Sequence, residues 1–578
     1  MLSADYQHYI SNPTPKSSFI PEGISLETWS DVEPYFKSLS ERTLATADEL
    51  WQWLLDHSDL NAWLEEDMAW RYIKMTCNTA DEEAGKRYAQ FIETIEPEVS
   101  VWQNELDKKL AAHPDFEKLS FKGADILIKN VKKDLKIFRE ENVPIQTEIQ
   151  TKAQEYAAIS GAMSIDWKGQ EITMPQAGVL LQSTDREVRK DAYEKIQNRR
   201  FQDGERLQTL FTELISLRDQ TARNADFANF RDFMFTSLGR FDYTPADCKS
   251  FHEAIEKAVV PLVTKLVERR KSNLKLEVLK PYDLAVEENG EPPLKAFESG
   301  QDLLDKGKMV FSKLDPFLGK TLEAMELKGH FDLESRKGKA PGGYNYPLDQ
   351  SGFPFIFMNA SSTLRDMVTL MHEGGHAVHS VVTRFLPLGF FKHTPSEVAE
   401  LASMSMELMS MDHWDVYFSD PGELKRAKRD HLSQVIDTLP WVATIDAFQH
   451  WLYENPAHSI EERTQYWLEI SKRFSTNLVD YQGYEHFRTI GWQKQLHLFE
   501  VPFYYIEYGM AQLGAIAVWR NYKQNPQSAM ANYLKALELG HTAGIKEVYQ
   551  TAGIRFDFSA SYIEELMAFV WEEMEELN

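Results

Sequence analysis

A chain of 578 residues is far longer than one ordinary domain of roughly 100–200 residues. With 43% hydrophobic and 12% aromatic residues it carries ample apolar surface to offset the entropy of ordering, which excludes a disordered chain. Its 63 Lys+Arg against 89 Asp+Glu leave a net charge of −26, a field that repels phosphate backbones and makes nucleic acid and anionic membranes poor partners.

The first thirty residues hold no apolar run behind a basic start, so no signal peptide is expected. From about 80 to 112, Tyr88, Phe91, Ile92 and Ile95 recur at spacings of three and four, the period of an amphipathic helix. The same style continues over about 124–160 through Ile126, Ile128, Val131, Leu135 and Phe138. Residues 164–174 alternate about Lys168-Gly169 and predict a β-hairpin. A new helix opens at 183–187, and the domain boundary is placed near there. At Thr244 the run TPAD has a capping threonine, a proline at the first helical position and an acid at the third. The helix after it carries Phe251, Ile255, Val259, Leu262 and Leu266 on one face. Two short strands are predicted at 342–348 and 354–360, joined by the turn-like DQSG. Further helices are predicted over about 296–317, 362–383, 396–412, 424–455, 460–474, 500–522, 528–539 and 560–577. The longest near-apolar stretch, Gly509 to Trp519, is too short to span a bilayer. Cys77 and Cys248 form no CxxC pair and read as packed thiols in a reducing compartment, so a soluble cytoplasmic protein is expected.

The segment that carries chemistry is SSTLRDMVTLMHEGGHAVHS, 361–380. His372 and His376 are four residues apart, so on a helix their rings stand one above the other, about one turn or ~6 Å along the axis. Both can then direct a nitrogen at one Zn2+ at ~2.0–2.1 Å. Glu373 can reach a metal-bound water without ligating the ion, the HExxH arrangement of zinc peptidases with the glutamate as general base. Thr363 and Asp366 supply a helix start, and Gly374 and Gly375 point to close approach of another backbone rather than to helix stability.

A third ligand is needed. His379 fails on distance, because seven residues along a helix put it ~10.5 Å from His372; it reads as a supporting or packing residue. Acidic candidates lie on the next helix, where Glu397, Glu400 and Glu407 occupy related faces. Spacing alone does not choose among them.

HEGGHAVHS followed by EVAELASMSMEL resembles the HExGHxxH and E-x6-E motifs of the thimet oligopeptidase and oligoendopeptidase F metallopeptidases. The resemblance implies that Glu400 is the third zinc ligand and Glu407 a supporting carboxylate on the same face. The glutamate offsets of thermolysin-like enzymes fall instead on Pro395 and Ser396, which cannot serve. PFIFMNA is similar to the family's substrate-pairing edge strand, able to hold an extended peptide by strand addition. HLFEVPFYYIEYGMAQLGA (497–515) resembles the family's His- and Tyr-rich segment, which implies oxyanion donors among His497, Tyr504, Tyr505 and Tyr508. Its register differs from the thimet type and leaves the choice of tyrosine open.

The fold implied is mainly α, a two-lobed helical clam around a deep substrate channel, with a small β-sheet beside the HExxH helix. Residues 1–190 would form an N-terminal helical lobe and 191–578 the catalytic zinc-peptidase domain. The function expected is a zinc-dependent oligoendopeptidase with one Zn2+ per chain. It would hydrolyse internal bonds of short unfolded peptides, with Glu373 taking a proton from the attacking water and passing it to the leaving amine. The alternatives are a dipeptidyl- or carboxypeptidase on the same scaffold, or a non-catalytic helical peptide-binding protein.

Overall fold

The computed structural model describes residues 6–15, 19–21, 23–336, 338–340 and 342–577. Helices dominate, as the periodicity predicts, and their ends obey the local rules. The TPAD signal is a capping box, Thr244 with Asp247, opening the helix Pro245–Ala258. The predicted hairpin is β1 (Ser164–Trp167) against β2 (Gln170–Thr173), antiparallel in register from Ser164↔Thr173 to Trp167↔Gln170. Its two-residue turn needs φ > 0 twice, met by Lys168 at 55° and Gly169 at 85°.

The chain forms two compact units, each assembled from three stretches. The first comprises 1–140, 295–424 and 514–556; the second comprises 141–294, 425–513 and 557–578. Position 190, where the sequence reading divides lobe from catalytic domain, falls inside the helix Arg186–Gln202 of the second unit.

In the first unit a three-stranded sheet has the order β3 (Phe331–Glu334), β5 (Phe355–Ala360), β4 (Tyr344–Tyr346). β5 pairs parallel with β3 and antiparallel with β4, so it is the central strand. This corrects the expectation that PFIFMNA is a substrate-pairing edge: both of its ladder edges are occupied, and β4 and β3 are the outer strands. The buried pattern of β5, with Phe355, Ile356, Phe357 and Met358 all covered, is that of an interior strand rather than an alternating edge. β3 escaped the sequence reading because FDLE is too short to establish a period.

Behind this sheet, Ala69 and Ile73 of the long helix Ala47–Cys77 pack on Leu348, Phe355 and Phe357. A larger core of the same unit gathers Val32, Phe36, Trp53, Leu106, Phe116 and Phe391. In the second unit the hairpin rests on the helix Arg186–Gln202 through Ile165, Ala177 and Ile196. Arg218, 1% exposed, ties the helix Gly204–Asn224 to Tyr453 Oη and to the carbonyls of Leu498 and Phe499. The predicted single helix over 500–522 is broken: Leu496–Glu500 ends, and a new helix, Tyr505–Gln524, begins after Phe503 at φ 67°. Pro502 and the left-handed Phe503 account for the break. Among the described residues no helix is long and apolar enough to cross a membrane.

Candidate metal centre

The HExxH segment lies on the helix Leu364–Thr383, capped by a reciprocal Thr363–Asp366 box. Asp366 Oδ2 also accepts from Ser361 N–H at 2.8 Å and from Thr363 N–H at 2.9 Å, which fixes the strand-to-helix corner between β5 and the motif. Met367, Leu370, Met371 and Val378 are fully covered and seat the helix in the core of the first unit.

The two glycines after Glu373 have distinct reasons. A Cβ on Gly374 would lie 2.4 Å from the Phe311 ring, and one on Gly375 would lie 2.6 Å from Ser403 Cα and 2.8 Å from the Ala402 carbonyl oxygen. Gly375 is therefore where the backbone of the helix Ser396–Ser410 touches the motif helix, the close approach that the sequence predicts. Tyr533 Oη donates to the Ala402 carbonyl at 2.8 Å and holds the far side of that contact.

This approach brings the acidic helix to the histidines. Glu400 Oε2 stands 3.3 Å from His372 Nε2 and 3.8 Å from His376 Nε2. The ligand atoms of His372, His376 and Glu400 all lie within 4.8 Å of one another. Two atoms bound to one zinc at ~2.0–2.2 Å and a roughly tetrahedral angle are separated by ~3.3–3.6 Å; the 3.3 Å pair meets that spacing and the 3.8 Å pair lies about 0.2 Å beyond it, so this donor set fits the ion in kind. Glu407, one heptad on, lies 2.6 Å from His372 Nδ1. As acceptor from Nδ1–H it orients the ring so that Nε2 faces Glu400. Ser403 Oγ donates to Glu400 Oε2 at 3.2 Å.

None of the three glutamates is a solvated surface group. Glu397 and Glu400 are buried and the Glu407 side chain is 15% exposed. Glu397 does not join the histidine cluster; Tyr549 Oη donates to its backbone carbonyl. His379 is buried but stands outside the ligand group. Burial, helped by His376, holds its imidazole down at about 3.

The electrostatics follow from burial around converging carboxylates. Burial pushes the Glu373 carboxyl up to about 7; Glu400 and Glu407 add to the rise, while His372 and the Asn345 backbone oppose it. Burial also lowers His376, to about 4. For His372 burial pulls down, but hydrogen bonds and charge from Glu400 and Glu407 outweigh it and hold the ring well above its ordinary value. Two carboxylates converging on one ring favour positive charge there, which is the sign a metal cation brings.

Two contacts at the site, those of Asn345 and Ser403, are absent from the sequence-based expectations. Asn345, in the middle of β4, donates from Nδ2 to the Glu373 backbone carbonyl at 3.2 Å, placing the outer strand against the motif helix. Ser403 could have been found from its i+3 spacing to Glu400, but Asn345 could not.

His497, Tyr504, Tyr505 and Tyr508 belong to the second unit, where they form one half-buried ring cluster. The His497 ring centroid lies 5.0 Å from Tyr505, 5.7 Å from Tyr508 and 6.0 Å from Tyr504. His497 Nε2 meets Tyr508 Oη at 3.4 Å, and Gln495 Nε2 holds its Nδ1 at 2.7 Å.

The family model for Peptidase family M3 matches residues 179–303 and 316–568, and that for the Peptidase M3 N-terminal domain matches 25–138. An oligoendopeptidase F homolog of Borreliella burgdorferi is 24% identical over 471 residues, 78% of this chain and 75% of that protein. A crystal structure of an oligoendopeptidase F superposes with a TM-score of 0.90 at 26% identity, covering 96% of this chain and 98% of that one. PZ peptidase A, solved with an inhibitor, gives 0.91 at 26% identity over 97% and 99%.

Proposed function

The chain belongs to peptidase family M3 and is a peptide hydrolase; we propose that it is a zinc-dependent oligoendopeptidase acting on internal bonds of short unfolded peptides. The observation that carries this reading is the convergence of His372, His376 and Glu400 within 4.8 Å, with the buried Glu373 next to His372 in sequence.

His372, His376 and Glu400 would hold one Zn2+. When bound, the ion acidifies a water to a pKa of roughly 7 and polarises the scissile carbonyl. Glu373, buried and next to His372 in sequence, would accept the proton of the attacking water and return it to the leaving nitrogen. Glu407 keeps the His372 ring in one tautomer and orientation. The extended substrate would add to β4, the outer strand whose Asn345 reaches the Glu373 carbonyl, rather than to β5. His497 and one or more of Tyr504, Tyr505 and Tyr508 are proposed as donors to the oxyanion, each worth roughly 3 kcal/mol at such a position. The thiols of Cys77 and Cys248, neither in a disulfide, support a cytoplasmic setting.

The test uses an internally quenched peptide blocked at both ends. The zinc-loaded chain should cleave it, lose activity on chelation and regain it with Zn2+. Cleavage of free-ended peptides only would convert the reading to an exopeptidase, and activity indifferent to chelation would refute it.

A further inference from the structure

A second constellation lies wholly inside the second unit and takes no part in the proposed hydrolysis. On the helix Pro245–Ala258, Cys248 and His252 stand one turn apart; on Pro421–Glu454, Asp446 and His450 do the same. All four are buried, with exposures of 0%, 3%, 0% and 3% in that order. A thiol sulfur of Cys248, a carboxylate oxygen of Asp446 and a ring nitrogen of His450 lie within 4.8 Å of one another.

The hydrogen bonds inside this cluster do not use up its polar atoms. His252 Nε2 bonds Asp446 Oδ2 at 2.8 Å, and His450 Nε2 lies 3.3 Å from the same oxygen. Asp446 Oδ1 and both ring nitrogens of His450 make no hydrogen bond among the described residues. Aromatic rings close the surroundings: Phe503 stands 5.5 Å and Phe235 5.9 Å from the His450 ring, and Phe474 stands 6.3 Å from His252. The Asp446 carboxylate is fully buried, with two imidazoles as its ion-pair partners. A thiolate, a carboxylate and neutral imidazoles around one divalent cation sum to zero charge. Sulfur, nitrogen and oxygen donors of this mixture are those that zinc takes.

We propose that Cys248, Asp446 and His450 form a second, structural zinc site that pins the helix Pro245–Ala258 to Pro421–Glu454. Binding releases the thiol proton of Cys248, and both oxygens of Asp446 can bring the donor count to four. His252 holds the carboxylate in place from outside the donor set, as outer partners of metal ligands do.

The experiment is metal analysis and optical spectroscopy of the full chain. Purified from zinc-supplemented cells and dialysed against metal-free buffer, the wild type should carry two ions per chain and the His376→Ala variant one. The chain purified from cobalt-supplemented cells should show a thiolate-to-cobalt charge-transfer band in the near ultraviolet. A His2Glu centre has no sulfur and cannot produce that band. It should persist in His376→Ala and vanish in Cys248→Ala. The wild-type spectrum alone decides the matter should the cysteine variant fold poorly. A metal-free His376→Ala chain, or a cobalt-loaded wild type without the band, would overturn the proposal. One ion per wild-type chain, with the band present and unaffected by His376→Ala, would support it while refuting the first metal centre.

Discussion

Replacing Gly375 by alanine tests whether the contact between the motif helix and the acidic helix sets the metal geometry. Alanine should favour the helix by up to ~1 kcal/mol over glycine. Against this, the added methyl would start 2.6 Å from Ser403 Cα and 2.8 Å from the Ala402 oxygen, both backbone and unable to swing aside. Carbon contacts settle near ~3.5–4.0 Å, so the helices must part by about 1 Å. Overpacking of that kind costs ~1–3 kcal/mol, leaving a net loss of up to about 2 kcal/mol. The functional loss should be larger, because zinc sites tolerate only about 0.2 Å in ligand distance and Glu400 rides on the displaced helix. Zinc affinity, read by competition with a chelator, should fall at least as far as loss of an outer partner takes it, about 10–100-fold. Gly85→Ala is the control: it sits within the helix Glu82–Gln90 with nothing within 4 Å of the new Cβ and should gain ~0.5–1 kcal/mol in urea unfolding. A Gly375→Ala chain with wild-type zinc affinity and stability would refute the assignment of Gly375 to backbone approach.

Glu407→Ala should weaken zinc binding about 10–100-fold, with Glu407→Gln in between because its amide oxygen can still accept from His372 Nδ1–H; equal affinities for all three chains would remove Glu407 from the site. His393 offers a pH test away from the candidate metal centre. Burial pulls its imidazolium down, but hydrogen bonds to Asp349 and Glu65 outweigh that and push it up to about 10. The folded value is above the unfolded ~6.5, so this stabilisation is complete below ~6.5 and drains away as pH rises to about 10. With the side chain 45% exposed, solvent screening limits the effect to within ~1 kcal/mol. Unfolding free energies across that window should fall more steeply for the wild type than for His393→Gln; parallel curves would contradict the pairing.

Much of the candidate site is legible in the sequence because its chemistry is local. His372, Glu373 and His376 are fixed by helical period, and the Thr363–Asp366 box announces where that helix begins. Gly374 and Gly375 signalled crowding but not what crowds them, since Phe311 and Ser403 arrive from segments about 60 and 30 residues away. The choice of Glu400 over Glu397 is a matter of rotation between two packed helices, which no single-helix period encodes. Strand order was the main loss. β3 and β4 enclose β5 through pairings that span up to 26 positions, so a strand read as an edge is interior. Likewise Cys248 and His252 gain meaning only beside Asp446 and His450, almost two hundred residues on.

The central claim is that zinc-assisted hydrolysis runs through Glu373. Zinc content and cleavage of the doubly blocked peptide should be measured together on wild type and Glu373→Gln. The account predicts equal zinc in both chains and, because Glu373 is the only proton acceptor assigned to the attacking water, a loss of about 10²–10⁴-fold in kcat for the variant. Cleavage by zinc-replete Glu373→Gln at the wild-type rate would contradict it.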